Sequence, residues 1–122
     1  MVVLVGFEKG DRVEDVEKLA RKVVSLRIFE DAKGKMNLSL KDVKGSVLVV
    51  PNFTLAGDCR KGRRPSFQLS EEPERAKAMF EMFVKVCRAC NVNVETGTFG
   101  ANMKVHLTND GPVTFIITSQ DV

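Results

Sequence analysis

Apolar residues recur along this 122-residue chain in three different rhythms. From Met1 to Phe7 the run MVVLVGF is nearly continuous and β-branched, which predicts a strand buried on both faces. Between Val13 and Ser25 the spacing becomes helical. Val13, Val16, Ala20, Val23 and Val24 fall on one side, with Glu14, Asp15, Glu17, Lys18, Arg21 and Lys22 on the other. Asp11 is placed to cap that helix. After a turn at Asp31-Ala32-Lys33-Gly34, Met36, Leu38 and Leu40 alternate as in a half-buried strand. Lys44-Gly45 then leads into a second buried strand, Ser46 to Val50. Pro51 ends or bulges it, because proline has no N–H for a ladder. Residues 56 to 70 read as a polar, basic loop.

The second helix is the clearest element. Pro73 suits a first-turn position, and Ser70, Glu71, Glu72 and Glu74 favour the positive end of a helix dipole. Ala76, Met79, Phe80, Phe83, Val84 and Cys87 follow at helical spacing, and Asn91 ends the element. Val92 and Val94 begin a strand, and Met103, Val105 and Leu107 alternate on another. Asn109-Asp110-Gly111 turns into a last strand over Val113 to Thr118. The pattern predicts one α+β domain over residues 1–122, strand-rich, with two main helices. A chain of this length can bury a core without disulfide or metal staples.

Composition adds little until charge is located. Hydrophobic and charged fractions of 43% and 29% are those of a soluble globular protein. No apolar run approaches a membrane span, and the short apolar start does not make a signal peptide, so a cytoplasmic location is expected. Three cysteines, an odd number, argue against a disulfide framework. The net charge of +3 is modest but uneven, because Arg60-Lys61-Gly62-Arg63-Arg64 gathers four cations in five residues.

Each chemical candidate has an ordinary alternative. Cys87-Arg88-Ala89-Cys90 suggests a redox or zinc site, but only Cys59 and the sole histidine, His106, remain to complete a ligand set. Cys87 is better explained as part of the apolar helix stripe. His106 alternates with Val105 and Leu107 and should face away from the core. The basic run is either a solvated loop or, with Phe67 just beyond it, a grip for an RNA end, where phosphates pair with arginine and a base stacks on a ring. Around VLVVPNFTLAG, Asn52 and Thr54 either close a strand edge or flank backbone N–H groups that could stabilise an oxyanion. Gly111-Pro112 reads locally as a turn, open to a cis peptide and to close backbone approach.

Taken together, NFTLA at 52–56, RRPSF at 63–67, ERAKAMFEMFV at 74–84, ETGTFGANM at 95–103 and TNDGPVTF at 108–115 resemble D-aminoacyl-tRNA deacylase. RIFEDAKGKMNLS at 27–39 and GSVLVV at 45–50 match the same family, so the resemblance runs in order along nearly the whole chain. It implies an enzyme of chiral proofreading in translation. Such enzymes hydrolyse the ester joining a D-amino acid, or glycine, to the terminal ribose of tRNA, and leave L-aminoacyl-tRNA intact. The implied fold is a small β-barrel-like α+β domain that forms a homodimer with no cofactor, no metal and no membrane contact.

By matching position, Gly111 and Pro112, a cis pair in the family, would form a main-chain filter inserted into the partner's site, held by Val113 and Thr114. An L side chain would collide with it, whereas a hydrogen or a D-configured group fits. Phe53 and Thr54 would lie at the scissile ester as the catalytic pair, with Asn52 beside them and Ala76, Phe99 and Met103 lining the pocket. Arg63, Arg64 and Phe67 would hold the RNA end. No base stands beside Thr54 in sequence, which favours an orienting role over nucleophilic attack. Two departures accompany the resemblance. Pro51-Asn52 replaces the usual Ser-Gln, which removes a backbone donor and shortens the amide by one methylene. The strand and hairpin that usually precede the segment matching Met1 to Phe7 are lacking, including an Arg that helps fix the Gly-Pro backbone. A non-catalytic tRNA-binding module that has kept the fold is the alternative function.

Overall fold

The computed structural model describes residues 1–122. Three strands, β1 (Val2–Val5), β4 (Ser46–Pro51) and β5 (Asn93–Thr96), form a parallel sheet in the order β1-β4-β5. Parallel neighbours need crossovers, and the chain supplies them with two helices, α1 (Val13–Ser25) and α2 (Pro73–Ala89). β2 (Phe29–Glu30) and β3 (Met36–Leu38) pair separately as an antiparallel ribbon. The domain is α+β with two main helices, as the sequence predicts, but the sheet does not close into a barrel.

Both helices pack on one face of the sheet. Val5, Val47, Val49 and Val94 meet Val16, Ala20, Val23, Phe80, Phe83 and Cys87 in a single apolar cluster. Ala20 and Cys87 are fully enclosed, and the Cys87 sulfur lies 4.0 Å from the Ala20 carbonyl oxygen. Small side chains at that crossing let the helices approach closely. Asn91, with φ of 61°, comes just after the end of α2 in the left-handed conformation that asparagine tolerates.

Because the helices cover one face only, the other face of β1 is left open. Val2 and Leu4 are exposed, so the Met1–Phe7 strand is buried on one side and not on two. Asp11 does not cap α1 either. Arg12 holds the N-cap position without a side-chain bond, while the Asp11 carboxylate accepts the Glu8 N–H and its carbonyl accepts Arg75 from α2. Arg75 also pairs at 2.8 Å with the buried Glu71 carboxylate, which accepts the N–H of Glu72. The first turn of α2 is thereby tied to the loop before α1.

The C-terminal quarter also departs from the two strands its sequence predicts. Residues 103–107 and 113–118 alternate as strands should, but residues 102–117 make no backbone–backbone hydrogen bond. Alternation specifies faces and does not supply a partner edge. The segment is an extended arm, fixed at both ends. Phe99 packs 6.2 Å from Phe80, while Ile117 joins the core and Lys22 donates to the Asp121 carbonyl.

Phe83 is the largest fully enclosed side chain, at the centre of the helix–sheet contact. Truncation to Ala leaves a cavity the sheet cannot close. Urea unfolding should show Phe83→Ala less stable by about 3–5 kcal/mol, with little change in the denaturant slope.

Candidate active site

The candidate site begins where β4 ends. β1 and β4 run in register from Val2 opposite Leu48 to Val5 opposite Pro51. The pairing continues one residue further, with the Asn52 N–H donating to the Val5 carbonyl at 2.8 Å. Gly6 permits this close approach, since a Cβ there would sit 2.7 Å from the Asn52 carbonyl oxygen and 3.1 Å from the Leu55 Cβ. The chain then breaks into one 3-10 turn, Phe53–Ala56.

Asn52 caps that turn. Its Oδ1 accepts the Thr54 N–H at 3.2 Å and the Thr54 hydroxyl at 2.6 Å. An asparagine bonding two residues ahead is a common local turn device. Of the two main-chain donors at Phe53 and Thr54, only one is therefore left open. The Thr54 N–H is engaged, whereas the Phe53 N–H has no acceptor within the chain. The Phe53 ring is largely exposed and meets Phe67 edge-on, with centroids 5.2 Å apart and planes at 63°.

Phe67 comes from the far side of the basic loop. Asp58 and Ser66 exchange two backbone hydrogen bonds of 2.7 and 2.9 Å, closing residues 59–65 into a projecting loop. Asp58 also takes the Arg60 guanidinium through Nε at 2.8 Å and Nη2 at 2.7 Å. Those bonds and the Arg60 N–H hold its carboxyl at about 2, below the ordinary 3.8. Arg60 is thus already paired. Arg63 and Arg64 are exposed and form no ion pair. Sequence reasoning missed this use of Asp58, although an acid two residues before an arginine is the available signal.

The remaining residues divide. Met103 lies against Gly97 beside Pro51, and its sulfur accepts the Thr98 N–H at 3.3 Å. Phe99 is half-buried against the core, and Ala76 is buried in α2. Gly111, Pro112, Val113 and Thr114 sit on the extended arm, where the Gly111-Pro112 peptide is cis and Asn109 Nδ2 donates to Thr114 Oγ1 at 2.9 Å. The atoms nearest a Cβ at Gly111 belong to Val113 and Asn109, and a side chain there would run into the Val113 nitrogen. No hydrogen bond joins this turn to Asn52, Phe53 or Thr54. The structure therefore brings together Asn52, Phe53, Thr54 and Phe67, while the Gly111-Pro112 turn on the arm forms no hydrogen bond to them.

Cys87 and Cys90 do not form a reactive pair. Burial, with a smaller contribution from Cys90, pushes the Cys87 thiol up to about 12, so it remains protonated. Cys59 is on the exposed loop, and His106 is exposed on the arm. No three of the His, Cys, Asp and Glu side chains stand where they could hold a metal ion. No helix is long and apolar enough to cross a membrane.

The same residues lie in a chain similar to known proteins over most of its length. The family model described as D-Tyr-tRNA(Tyr) deacylase matches residues 1–118. A Thermosipho africanus protein named D-aminoacyl-tRNA deacylase is 54% identical over 122 residues, spanning 100% of this chain and 82% of its own. A Thermotoga petrophila protein of the same name is 56% identical over 119 residues, covering 98% of this chain and 80% of its own. Among solved structures, one titled c-Myc DNA Unwinding Element Binding Protein superposes with a TM-score of 0.84 at 36% identity, covering 92% of this chain and 76% of that one. A probable eukaryotic D-amino acid tRNA deacylase gives 0.78 at 18% identity, covering 91% and 80%, a likeness of fold.

The Asp58–Arg60 pair can be tested alone. The folded pKa of Asp58 is depressed, so the stabilisation the pair gives is complete above 3.8 and fades as pH falls toward 2. Carboxyl carbon shifts followed by NMR should show Asp58 titrating near 2, moving toward 3.8 in Arg60→Ala.

Proposed function

The chain belongs to the D-Tyr-tRNA(Tyr) deacylase family, and on that premise we propose that it proofreads translation by hydrolysing the ester of D-aminoacyl-tRNA. The observation that carries the reading is the turn at the end of β4. It sets an unengaged Phe53 N–H beside the Thr54 hydroxyl, on a rigid strand end and next to an exposed aromatic pair. Ester hydrolysis places negative charge on the carbonyl oxygen as water attacks. A fixed N–H aimed at that oxygen lowers the barrier more than a mobile donor would. The Phe53 N–H is such a donor.

Thr54 orients the reacting groups and does not attack. A threonine nucleophile needs a base to remove its proton, and the hydroxyl is bonded to an amide oxygen. Rate then comes from positioning and oxyanion stabilisation. Phe53 and Phe67 offer ring faces and edges to the terminal base of tRNA. Arg63 and Arg64, free of ion pairs, meet its phosphates. Asn52 supports the turn, and Met103, with Phe99 and Ala76 behind it, lines the side toward α2.

Selectivity for the D configuration comes from the arm of a second copy of the chain. The unpaired backbone of residues 102–117, with exposed Val105, Leu107, Phe115 and Ile116, supports pairing with another subunit. In that homodimer the Gly111-Pro112 main chain enters the partner's site, with Val113 and Thr114 holding it. Main chain there leaves room for hydrogen, or for a D side chain directed outward. An L side chain meets the wall. No metal or cofactor takes part in the proposed reaction.

Paired assays on D-Tyr-tRNA and L-Tyr-tRNA test this reading. The D substrate should be deacylated and the L substrate spared, and equal rates on both would contradict the chiral filter. Gly111→Ala, whose Cβ has no room beside the Val113 nitrogen, should lower kcat/KM on the D substrate by about 10²-fold.

A further inference from the structure

We propose that Asn52 is a positioning residue that fixes Thr54 as a hydrogen-bond acceptor toward the substrate. The proposal rests on the deacylase reading and adds a role that this chain's own Pro51-Asn52 sequence creates. Which atoms can donate decides the polarity. A backbone N–H only donates, so the Asn52 atom facing the Thr54 N–H at 3.2 Å is its oxygen. The Thr54 hydroxyl lies 2.6 Å from that same oxygen. An amide oxygen only accepts, so the hydroxyl proton points at Asn52.

A hydroxyl has one proton, and here it is committed. Thr54 Oγ1 presents lone pairs on its other side. The group it holds must therefore bring a proton of its own. Three groups at an aminoacyl ester share that chemistry: the α-ammonium of the amino acid, the neighbouring ribose hydroxyl and the attacking water. The Asn52 backbone is held by its N–H bond to Val5 and by Gly6 against its carbonyl, and its side-chain oxygen by the Thr54 N–H, so the hydroxyl's direction is set from the end of the sheet. A free threonine would rotate between donating and accepting. This one is held in a single polarity before substrate arrives.

A double-mutant cycle on the full chain tests the assignment. Thr54→Val and Asn52→Leu should each lower kcat/KM on D-Tyr-tRNA by about tenfold. The double variant should fall no further than Thr54→Val alone, to within about twofold, because the two side chains act as one unit. Asn52→Asp, whose carboxylate accepts both the N–H and the hydroxyl, should recover most of the rate lost in Asn52→Leu. A purely structural role for Asn52 would show as a matching fall in melting temperature and additive losses near a hundredfold in the double variant, and would overturn the proposal. So would an Asn52→Asp chain as slow as Asn52→Leu. Substrates lacking the α-ammonium, or the hydroxyl next to the ester, identify the donor: the Thr54→Val penalty vanishes against the one that lacks it. A penalty that persists against both, with the cycle still coupled, assigns the donor to water. An unmodified chain that turns over neither D nor L substrate overturns the deacylase reading and this proposal together. Turnover with additive losses overturns this proposal alone.

Discussion

The register between β1 and β4 is the constraint on which the candidate site depends. Four residue pairs align the two strands, and the Asn52 N–H extends the ladder one step past the point where Pro51 can no longer donate. That extra bond decides where the strand stops and where the Phe53–Ala56 turn begins. A shift of one residue would exchange the inward Val47 and Val49 with their outward neighbours and turn Phe53 and Thr54 the other way. Core packing and site geometry are therefore the same specification. The valines that bind the sheet to α1 and α2 also aim the turn.

In the proposed mechanism the molecule divides its labour between the end of the sheet and the extended arm. The sheet end carries an unengaged N–H and an oriented hydroxyl within a few residues of a buried strand, and Phe67 reaches Phe53 there from beyond the basic loop. The arm supplies main chain without ladder partners, fastened at Phe99 and at Ile117 and left open between. Chemistry of this kind benefits from the division. In the proposed mechanism the donor is fixed before the reaction, and the steric filter is supplied by a second chain. The charge of the projecting loop obeys the same logic, since Asp58 restrains the base of the loop and neutralises Arg60 while Arg63 and Arg64 stay free.

Much of this was legible in the sequence because its cause was local. Helical spacing gave α1 with its observed limits, Val13–Ser25, and Pro73 and Asn91 marked the ends of α2. The recognisable blocks around Phe53-Thr54 and Gly111-Pro112 pointed to the family. What escaped depended on partners distant in the chain. Whether Met1–Phe7 is buried on one face or two depends on where both helices land. Whether residues 103–107 become a strand depends on an edge that no local pattern contains. Asp11 looked like a cap because caps are acidic or hydroxylic, yet it serves a loop that Arg75 reaches from sixty-four residues away. The Asn52–Thr54 bond is an intermediate case. Its two-residue spacing was available as a turn signal, but the resulting polarity of the hydroxyl emerges only when both donors are seen on one oxygen.

In the proposed mechanism a working site needs the sheet end of one chain and the arm of another. Activity complementation measures this directly. Chains carrying Gly111→Ala keep an intact sheet end, and chains carrying Thr54→Val keep an intact arm. Unfolded together and refolded as a mixture, they should regain deacylation of D-Tyr-tRNA to roughly a quarter of the unmodified rate, since random pairing gives mixed dimers with one complete site each. A mixture no more active than the average of its two components would contradict a site shared between subunits.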